Sequence, residues 1–429
     1  MNRRVVVTGL GMVTPLGCEV DEVWARLLGG ERGVTPPVRL GEEHPPTRAV
    51  GEIHPDVLHA LRSEHPDLDG ASDPRTIFAV AAAFRALAQA GLEPDEHPRA
   101  GVMLGAGPGA NRVEDIDRWL AKDGTFDAER YGREVILTER ESLVRTGAEQ
   151  PAARVAERFG IGGPVHAVTT ACSASNQALG MAFRSIRSGE TDWVVAGGSD
   201  SQINPLGLVF FVLLGASANV DEDDPASACR PFDRRRSGLV MGEGAGVVVL
   251  ESEEHARARG ATILAEVKGY GASLDAFRTT APPPDGRGAE EAMRYAVDDS
   301  GLAPSDIDFV NAHGTGTKRN DPAEITAIRT LMGEHADEVV VSSSKGALGH
   351  LLSAAAGVAF CCCVKAVQED AVPPTANLEE PDRGCDVDLV PEPGRRQAVR
   401  AALNNSFAFG GQNASIVVAK YHPSSGEQA

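Results

Sequence analysis

Val168-Thr169-Thr170-Ala171-Cys172-Ser173-Ala174-Ser175 ends a β-branched run in a cluster of small residues. The apolar positions around and beyond it, Ala174, Ala178, Leu179, Ala182, Phe183 and Ile186, share one helical face. The segment therefore reads as a strand, a sharp turn and a helix, with Cys172 at the helix start. Unpaired N–H groups and partial positive charge at such a terminus favour thiolate over thiol. No Asp or Glu lies in the first turn to oppose them. The same N–H groups suit the oxyanion of a tetrahedral thioester intermediate. The competing reading is a buried apolar cysteine, the common state of free cysteine, and Cys361, Cys362 and Cys363, in an apolar helix, are assigned to it.

Outward from this elbow, short apolar runs bounded by glycine alternate with helix-length amphipathic stretches, the pattern of an α/β fold with buried strands. Val5–Thr8, Val102–Leu104, Trp193–Ala196 and Val247–Leu250 read as strands, and Ile77–Ala90 and Ala174–Ile186 as helices. A second set follows residue 261: Ile263–Val267, Phe309–Asn311, Val339–Ser342 and Ile416–Ala419. His166–Thr170 leads into the helix carrying Cys172, while Val339–Ser343 leads through Lys345-Gly346-Ala347 into a helix from about Gly349. Such an internal repeat points to duplicated α/β units: 1–260 with the cysteine, 261–422 with two notable histidines, and 423–429 as a frayed polar tail.

At 429 residues the chain can bury two domain-sized cores. Its 42% hydrophobic and 24% charged residues are those of a soluble globular protein, and 47 glycines fit many tight turns. A net charge of -20 argues against a nucleic-acid surface, which needs clustered Lys and Arg. The seven cysteines show no CxxC or Cys/His metal spacing, which fits a reducing compartment. Arg3-Arg4 leads only into Val5-Val6-Val7, too short for a signal or a membrane span, so a cytoplasmic protein with no membrane partner is expected.

A thiolate nucleophile usually works with imidazoles. Two of the 11 histidines sit in glycine-rich turns after strands: Asn311-Ala312-His313-Gly314-Thr315-Gly316-Thr317 and Ser344-Lys345-Gly346-Ala347-Leu348-Gly349-His350. Taken singly, each reads more readily as a satisfied turn histidine than as a functional one. With Cys172 they supply what a decarboxylating thioester condensation requires: a sulfur to hold the acyl group and two donors to stabilise the enolate left by carbon dioxide. Thr315 and Thr317 are placed either to bind the amides of a pantetheine arm or to stabilise the turn.

Thr170-Ala171-Cys172-Ser173, His313-Gly314-Thr315-Gly316-Thr317, Lys345 through Gly349-His350, and Asn405-Ser406-Phe407-Ala408-Phe409-Gly410-Gly411 together resemble the signatures of elongating β-ketoacyl-ACP synthases. Val195-Ala196-Gly197-Gly198, Arg230-Pro231-Phe232-Asp233 and Gly242-Glu243-Gly244-Ala245-Gly246 extend the likeness over nearly the whole chain. The resemblance implies the thiolase fold: two mixed five-stranded sheets around buried helices, in five layers (αβαβα). It implies an acyltransferase with a Cys172, His313 and His350 site, Lys345 as the accompanying lysine, and Phe409 as a gate whose backbone N–H joins that of Cys172 in an oxyanion hole. Thr279, Thr280, Phe407, Phe210 and Phe211 are the further substrate-contacting positions. No nucleotide, flavin or catalytic metal is implied, since substrates ride on the phosphopantetheine arm of an acyl carrier protein. The partner is a second copy, or a ketosynthase-like chain-length factor in a heterodimer.

Three departures stand out from the fatty-acid pattern. Ala359 replaces a glutamate that pairs with the lysine, so Asp321 and Glu324 become candidates for a structural ion pair with Lys345. Pro205-Leu206-Gly207-Leu208-Val209-Phe210-Phe211 is bulkier than its glycine-rich counterpart, and Arg278 stands where histidine is usual. These changes lean toward polyketide or polyene biosynthesis over fatty-acid elongation. A non-catalytic chain-length partner is the rival from another class, and Cys172 argues against it, because such relatives usually lack the nucleophile. A thiolase or a Cys-His-Asn starter synthase is set apart by His350. An acidic carrier also needs a basic patch, for which Arg75, Arg130, Arg133 and Arg234-Arg235-Arg236 are candidates unless a partner subunit supplies it.

Overall fold

The computed structural model describes residues 3–423 except 41–46, 67, 69–72, 94–98, 110–116, 138–144 and 392. Apart from residue 423, the expected tail lies outside the described residues.

In the first half, strands β1 (Val5–Val13), β2 (Ala100–Ala106), β3 (Val165–Val168), β4 (Trp193–Asp200) and β5 (Gly244–Ser252) alternate with α1 (Val20–Leu28), α2 (Pro55–Glu64), α3 (Pro74–Ala90), α4 (Ala128–Glu134), α5 (Gln150–Arg158), α6 (Ala174–Ser188), α7 (Pro205–Leu213) and α8 (Glu253–Ala258). The second half comprises β6 (Ala265–Leu274), α9 (Arg287–Ser300), β7 (Phe309–Asn311), α10 (Asn320–Met332), β8 (Val340–Ser342), α11 (Lys345–Leu348), α12 (Ala355–Glu369), β9 (Ala371–Val372), β10 (Asp388–Leu389), β11 (Arg395–Arg396), β12 (Ala401–Phe407) and β13 (Gln412–Ala419).

The order β3-β2-β4-β5-β1 forms one five-stranded mixed half, and β6-β13-β12-β7-β8, extended by β10, forms the other. Both follow one scheme: two antiparallel pairings at one end give way to parallel pairings at the other. The expected separation into two sheets is incomplete. Val5–Val7 pairs antiparallel with residues 265–267, joining the halves edge to edge.

Helices α3 and α5 cover the outer face of the first half, α9 and α10 that of the second, and α6 and α12 touch both halves between them. This is the five-layer thiolase arrangement. A helix that is apolar all round belongs in a core, and every residue of α12 from Ala355 to Val367 is buried. Its contact with β5 depends on missing side chains: a Cβ on Gly246 would lie 2.1 Å from the Val358 nitrogen, and one on Gly357 would lie 2.3 Å from the Gly246 carbonyl oxygen.

The repeat expected from sequence recurs at the two inner helices. A 3-10 turn over Ala171–Ser173 leads into α6, and another over Leu352–Ala354 leads into α12. Ala171 and Leu352, each opening its turn, both have φ 48°, a left-handed conformation that costs a residue with a Cβ roughly 1–2 kcal/mol. Ser175 in the first elbow donates to the Ser353 carbonyl in the second, so the elbows sit against one another.

One boundary differs from the sequence reading. The helix expected from about Gly349 begins at Ala355. His350 instead pairs with the segment 240–242: its N–H donates to Val240 O at 2.7 Å, and its carbonyl accepts from Gly242 N at 2.9 Å. A backbone committed to those two bonds is unavailable to a helix.

Candidate active site

Cys172 sits in the first elbow, and Ser406 Oγ, from the end of β12, ties its carbonyl at 2.6 Å. His313 follows β7, and its turn is held from below by Glu324 on α10, whose carboxylate accepts from His313 N at 2.7 Å and Gly314 N at 2.8 Å. His350 Nε2 stands 3.0 Å from Cys172 Sγ. The two imidazoles meet edge-on with centroids 5.4 Å apart. One donor atom from each of Cys172, His313 and His350 falls within 4.8 Å of the others. Three segments far apart in sequence thus converge, all buried.

The environment sets their protonation. Burial pushes the Cys172 thiol up to about 11; Lys345 and the N–H groups of Phe409 and Cys172 itself, aimed at the sulfur, pull the other way without winning. The resting sulfur is therefore a thiol, which corrects the thiolate expected from the helix terminus alone. Burial, with Lys345 behind it, holds both imidazoles well below their ordinary range, so they are neutral. Leu352 N–H donates to His350 Nδ1 at 3.2 Å, which places the ring proton on Nε2, facing the sulfur. The spacing alone would suit a metal ion. His350, whose Nδ1 is taken by Leu352 N–H, turns Nε2–H and not a lone pair to that space.

Cys172, His313, His350, Thr280, Thr315, Thr317, Phe211, Phe407 and Phe409 line one cavity of about 290 Å³. Thr315 and Thr317 hydrogen-bond one another at 3.0 Å while facing it. The Phe211 and Phe409 rings are stacked 6.5 Å apart, and Phe409 precedes Gly410 and Gly411, whose φ values of 90° and 78° favour residues without a Cβ.

Two expected positions lie off the cavity wall. Phe210 is 57% exposed on α7, edge-on to Phe211. Thr279 acts through its carbonyl, which accepts Gly410 N–H at 2.7 Å and so anchors the Phe409 loop.

Lys345 is buried outside the lining, and among the described residues neither candidate carboxylate forms an ion pair with it. Asp321 accepts instead from Phe232 N, Thr315 N and Gly316 N. Glu324, pushed up to about 7 by burial, is spent on the His313 turn and attracts Lys345 only through space. The expected basic patch does not form either. Arg75 is fully buried on Asp73, Arg130 pairs with Glu134, Arg133 with Glu129, and Arg234, Arg235 and Arg236 with Glu380, Glu379 and Asp382.

Sequence reasoning missed several neighbours. Asp200, buried at the end of β4, accepts from Ser353 N at 3.0 Å and so orders the second elbow; a strand-end carboxylate was the available signal. Val50, Ile203, Leu208, Met241 and Leu352 form the apolar cluster around Cys172, and no periodicity links them. Lys318 and Arg319 reach the cavity.

The sequence profile described as "Beta-ketoacyl synthase, N-terminal domain" matches residues 2–256, and that described as "Beta-ketoacyl synthase, C-terminal domain" matches residues 264–379. The chain is 40% identical over 431 residues to "3-oxoacyl-[acyl-carrier-protein] synthase 2" of Rhizobium meliloti (strain 1021), covering 98% of this chain and 99% of the relative. Among solved structures it resembles "AntDE:AntF (apo): type II PKS acyl-carrier protein in complex with its ketosynthase bound to the hexaketide", with TM-score 0.87 and 31% identity, covering 98% of this chain and 100% of that one. "The ishigamide ketosynthase/chain length factor" follows at TM-score 0.84 and 33% identity, with the same coverage.

Proposed function

The chain belongs to the β-ketoacyl synthase family, and from that membership we propose that Cys172, His313 and His350 perform its decarboxylative condensation. It is an acyltransferase of the 3-oxoacyl-ACP synthase type. The observation that carries the site assignment is the convergence of these three buried side chains, with one donor atom from each within 4.8 Å of the others.

In the first step Cys172 sulfur attacks an acyl thioester on an acyl carrier protein. The N–H groups of Cys172 and Phe409 hold the developing oxyanion, the thiol proton passes to the departing pantetheine sulfur, and the acyl group stays on Cys172. In the second step malonyl-ACP enters and its thioester carbonyl accepts from the two imidazoles. The bond to the carboxylate breaks, carbon dioxide leaves, and the electron pair becomes the enolate. Its carbon attacks the acyl thioester, the Cys172 sulfur departs and regains a proton from solvent, and β-ketoacyl-ACP is released. Positioning and loss of carbon dioxide drive these steps without nucleotide, flavin or metal.

We assign the reaction to polyketide or polyene assembly. Ala359, the apolar Pro205–Phe211 stretch and Arg278 support this, as does likeness to a type II PKS ketosynthase. Fatty-acid elongation is the second reading, favoured by 40% identity to a 3-oxoacyl-ACP synthase 2. The seven free thiols support a reducing, cytoplasmic setting.

A dimeric assembly is supported by two features on the first half. Edge strand β3 leaves Val165, His166 and Ala167 exposed, and α7 turns Leu206, Val209, Phe210, Val212 and Leu213 to solvent. The occupant is a second copy or a chain-length factor.

Intact-mass measurement after incubation with a panel of acyl-ACPs, then malonyl-ACP, tests the reading. Adducts on Cys172 that discharge into β-ketoacyl-ACP support it, and the accepted chains distinguish the two pathways. No adduct from any donor, even with candidate partner subunits present, returns the chain to the non-catalytic class.

A further inference from the structure

Most cations on this acidic chain are neutralised, including every member of the patch expected from sequence. Lys318 and Arg319 are different. Both are exposed, both line the cavity that holds Cys172, and among the described residues neither has an ion-pair partner. Arg278, also exposed and without a carboxylate partner among the described residues, lies over its neighbour Phe277 at 5.4 Å, two residues before the cavity-lining Thr280.

The carboxylates able to quench these charges are directed elsewhere. Asp321, in the first turn of the helix that Arg319 caps, is fully buried and accepts three backbone N–H groups. Asp275, the one carboxylate among the lining residues, accepts from Asn413 at 2.7 Å, and its burial favours the neutral acid.

The segment 313–319 is a graded wall. His313 and Thr315 are buried, Thr317 is half-buried, and Lys318 and Arg319 are exposed. From the reactive end outward it offers an imidazole, then two hydroxyls, then two cations. A phosphopantetheine arm carries the same order: a thioester, then amides, then a phosphodiester anion.

We propose that Lys318 and Arg319, assisted by Arg278, form an anion collar that receives the phosphodiester of the carrier's phosphopantetheine arm. This rests on the carrier-dependent synthase reading above. An adjacent ammonium and guanidinium give charge-assisted bonds to phosphate oxygens, the guanidinium as a two-pronged donor. In a chain of net charge -20 such a collar also offsets repulsion of an anionic arm at the point of entry. The malonyl carboxylate is not its ligand, because decarboxylation takes place at the buried end beside His313 and His350.

The test compares acyl and malonyl thioesters of phosphopantetheine with those of dephosphorylated pantetheine, free of any carrier protein. The wild type should prefer the phosphorylated arm by about tenfold or more in kcat/KM, mainly through KM, since one charge-assisted bond is worth that much. Lys318→Gln/Arg319→Gln should erase most of this preference, and added salt should erode it in the wild type. Circular dichroism checks that the variant folds. A wild type indifferent to the phosphate, or a variant that keeps the preference, overturns the collar. A variant impaired only with intact carrier protein, its small-thioester preference kept, also overturns it and assigns the cations to the carrier's surface. Acylation of wild-type Cys172 by acyl-ACP, followed by mass, separates the two levels: an adduct without phosphate preference sinks the collar alone, and no adduct sinks the synthase reading with it.

Discussion

His350 faces Cys172 with a proton: its Nε2 is 3.0 Å from the sulfur while its Nδ1 accepts the N–H of Leu352 at 3.2 Å. A neutral ring fixed in this tautomer is a hydrogen-bond donor to whatever replaces the thiol proton, and it is a poor general base. The Leu352 bond depends on the left-handed turn that opens the second elbow, so backbone geometry at one elbow sets the proton position at the other.

A side chain that donates from the same place should substitute in part. His350→Gln, which can present an amide N–H near the Nε2 position, should retain clearly more malonyl decarboxylation than His350→Ala. The alanine variant should lose about 10²–10³-fold, the range for removing one such donor. Stopped-flow or radiometric release of carbon dioxide from malonyl-ACP measures both. Equal losses in the two variants would assign His350 to proton abstraction.

The pH dependence follows from burial and from Lys345. With the thiol pushed up to about 11, alkylation of Cys172 by iodoacetamide should keep accelerating from pH 7 to 10 without a plateau near 8. With both imidazoles held well below 6.5, decarboxylation should show no acid limb at that value. Lys345 lowers all three groups. Removing its charge in Lys345→Met makes the imidazolium less unfavourable and the thiolate less favourable. The acid limb then moves up toward 6.5, and alkylation at fixed pH slows. A profile unchanged in Lys345→Met would place the ammonium outside this circuit.

Cys172, His313 and His350 were legible because each follows a strand within a run of small residues, a local pattern that needs no tertiary knowledge. Tertiary placement decided the rest. The helix-terminal position of Cys172 argued for a thiolate, yet burial among Val50, Ile203, Leu208, Met241 and Leu352 outweighs the dipole. Arg75 read as a surface cation, but Asp73 caps α3 beside it and takes it inside. Arg236 and Asp382 meet across 146 positions. Asp321 and Glu324 were expected to pair with Lys345, but backbone N–H groups, which sequence does not display as competitors, claim both carboxylates.

The elbow's position on the sheet is set by Gly105. A Cβ there would lie 2.5 Å from the Ala174 carbonyl carbon and the Ser175 nitrogen, both backbone atoms of the segment that follows Cys172. Gly105→Ala should destabilise by about 1–3 kcal/mol, as overpacking against an unyielding neighbour does, and should slow acylation of Cys172. Gly132 is the control: it lies in helix α4 with nothing within 4 Å of its would-be Cβ, so Gly132→Ala should be neutral or stabilise by up to about 1 kcal/mol. Urea unfolding and acylation rates check both. An unperturbed Gly105→Ala would mean that the elbow shifts freely, contrary to its fixed role.

Helix α7 joins an exposed apolar face to the cavity wall. Phe211 and, just past the helix, Leu214 line the cavity, whereas Leu213 is 82% exposed and stands off the lining. A nine-residue helix this apolar, with its outer face in water, marks a surface suited to a protein partner, and β3, the edge strand of the same half, offers backbone pairing. A two-fold assembly uses the same patch on each chain, or a related patch on a chain-length factor, so one charge on Leu213 is felt from both sides. Leu213→Asp should shift native mass from dimer toward monomer, or release the partner subunit, at micromolar concentration. Condensation should fall with it, because uncovering α7 frees Phe211 from its stack on Phe409. Unchanged mass would show that this face is not the interface, and a fully active monomer would show that the cavity is complete without a partner.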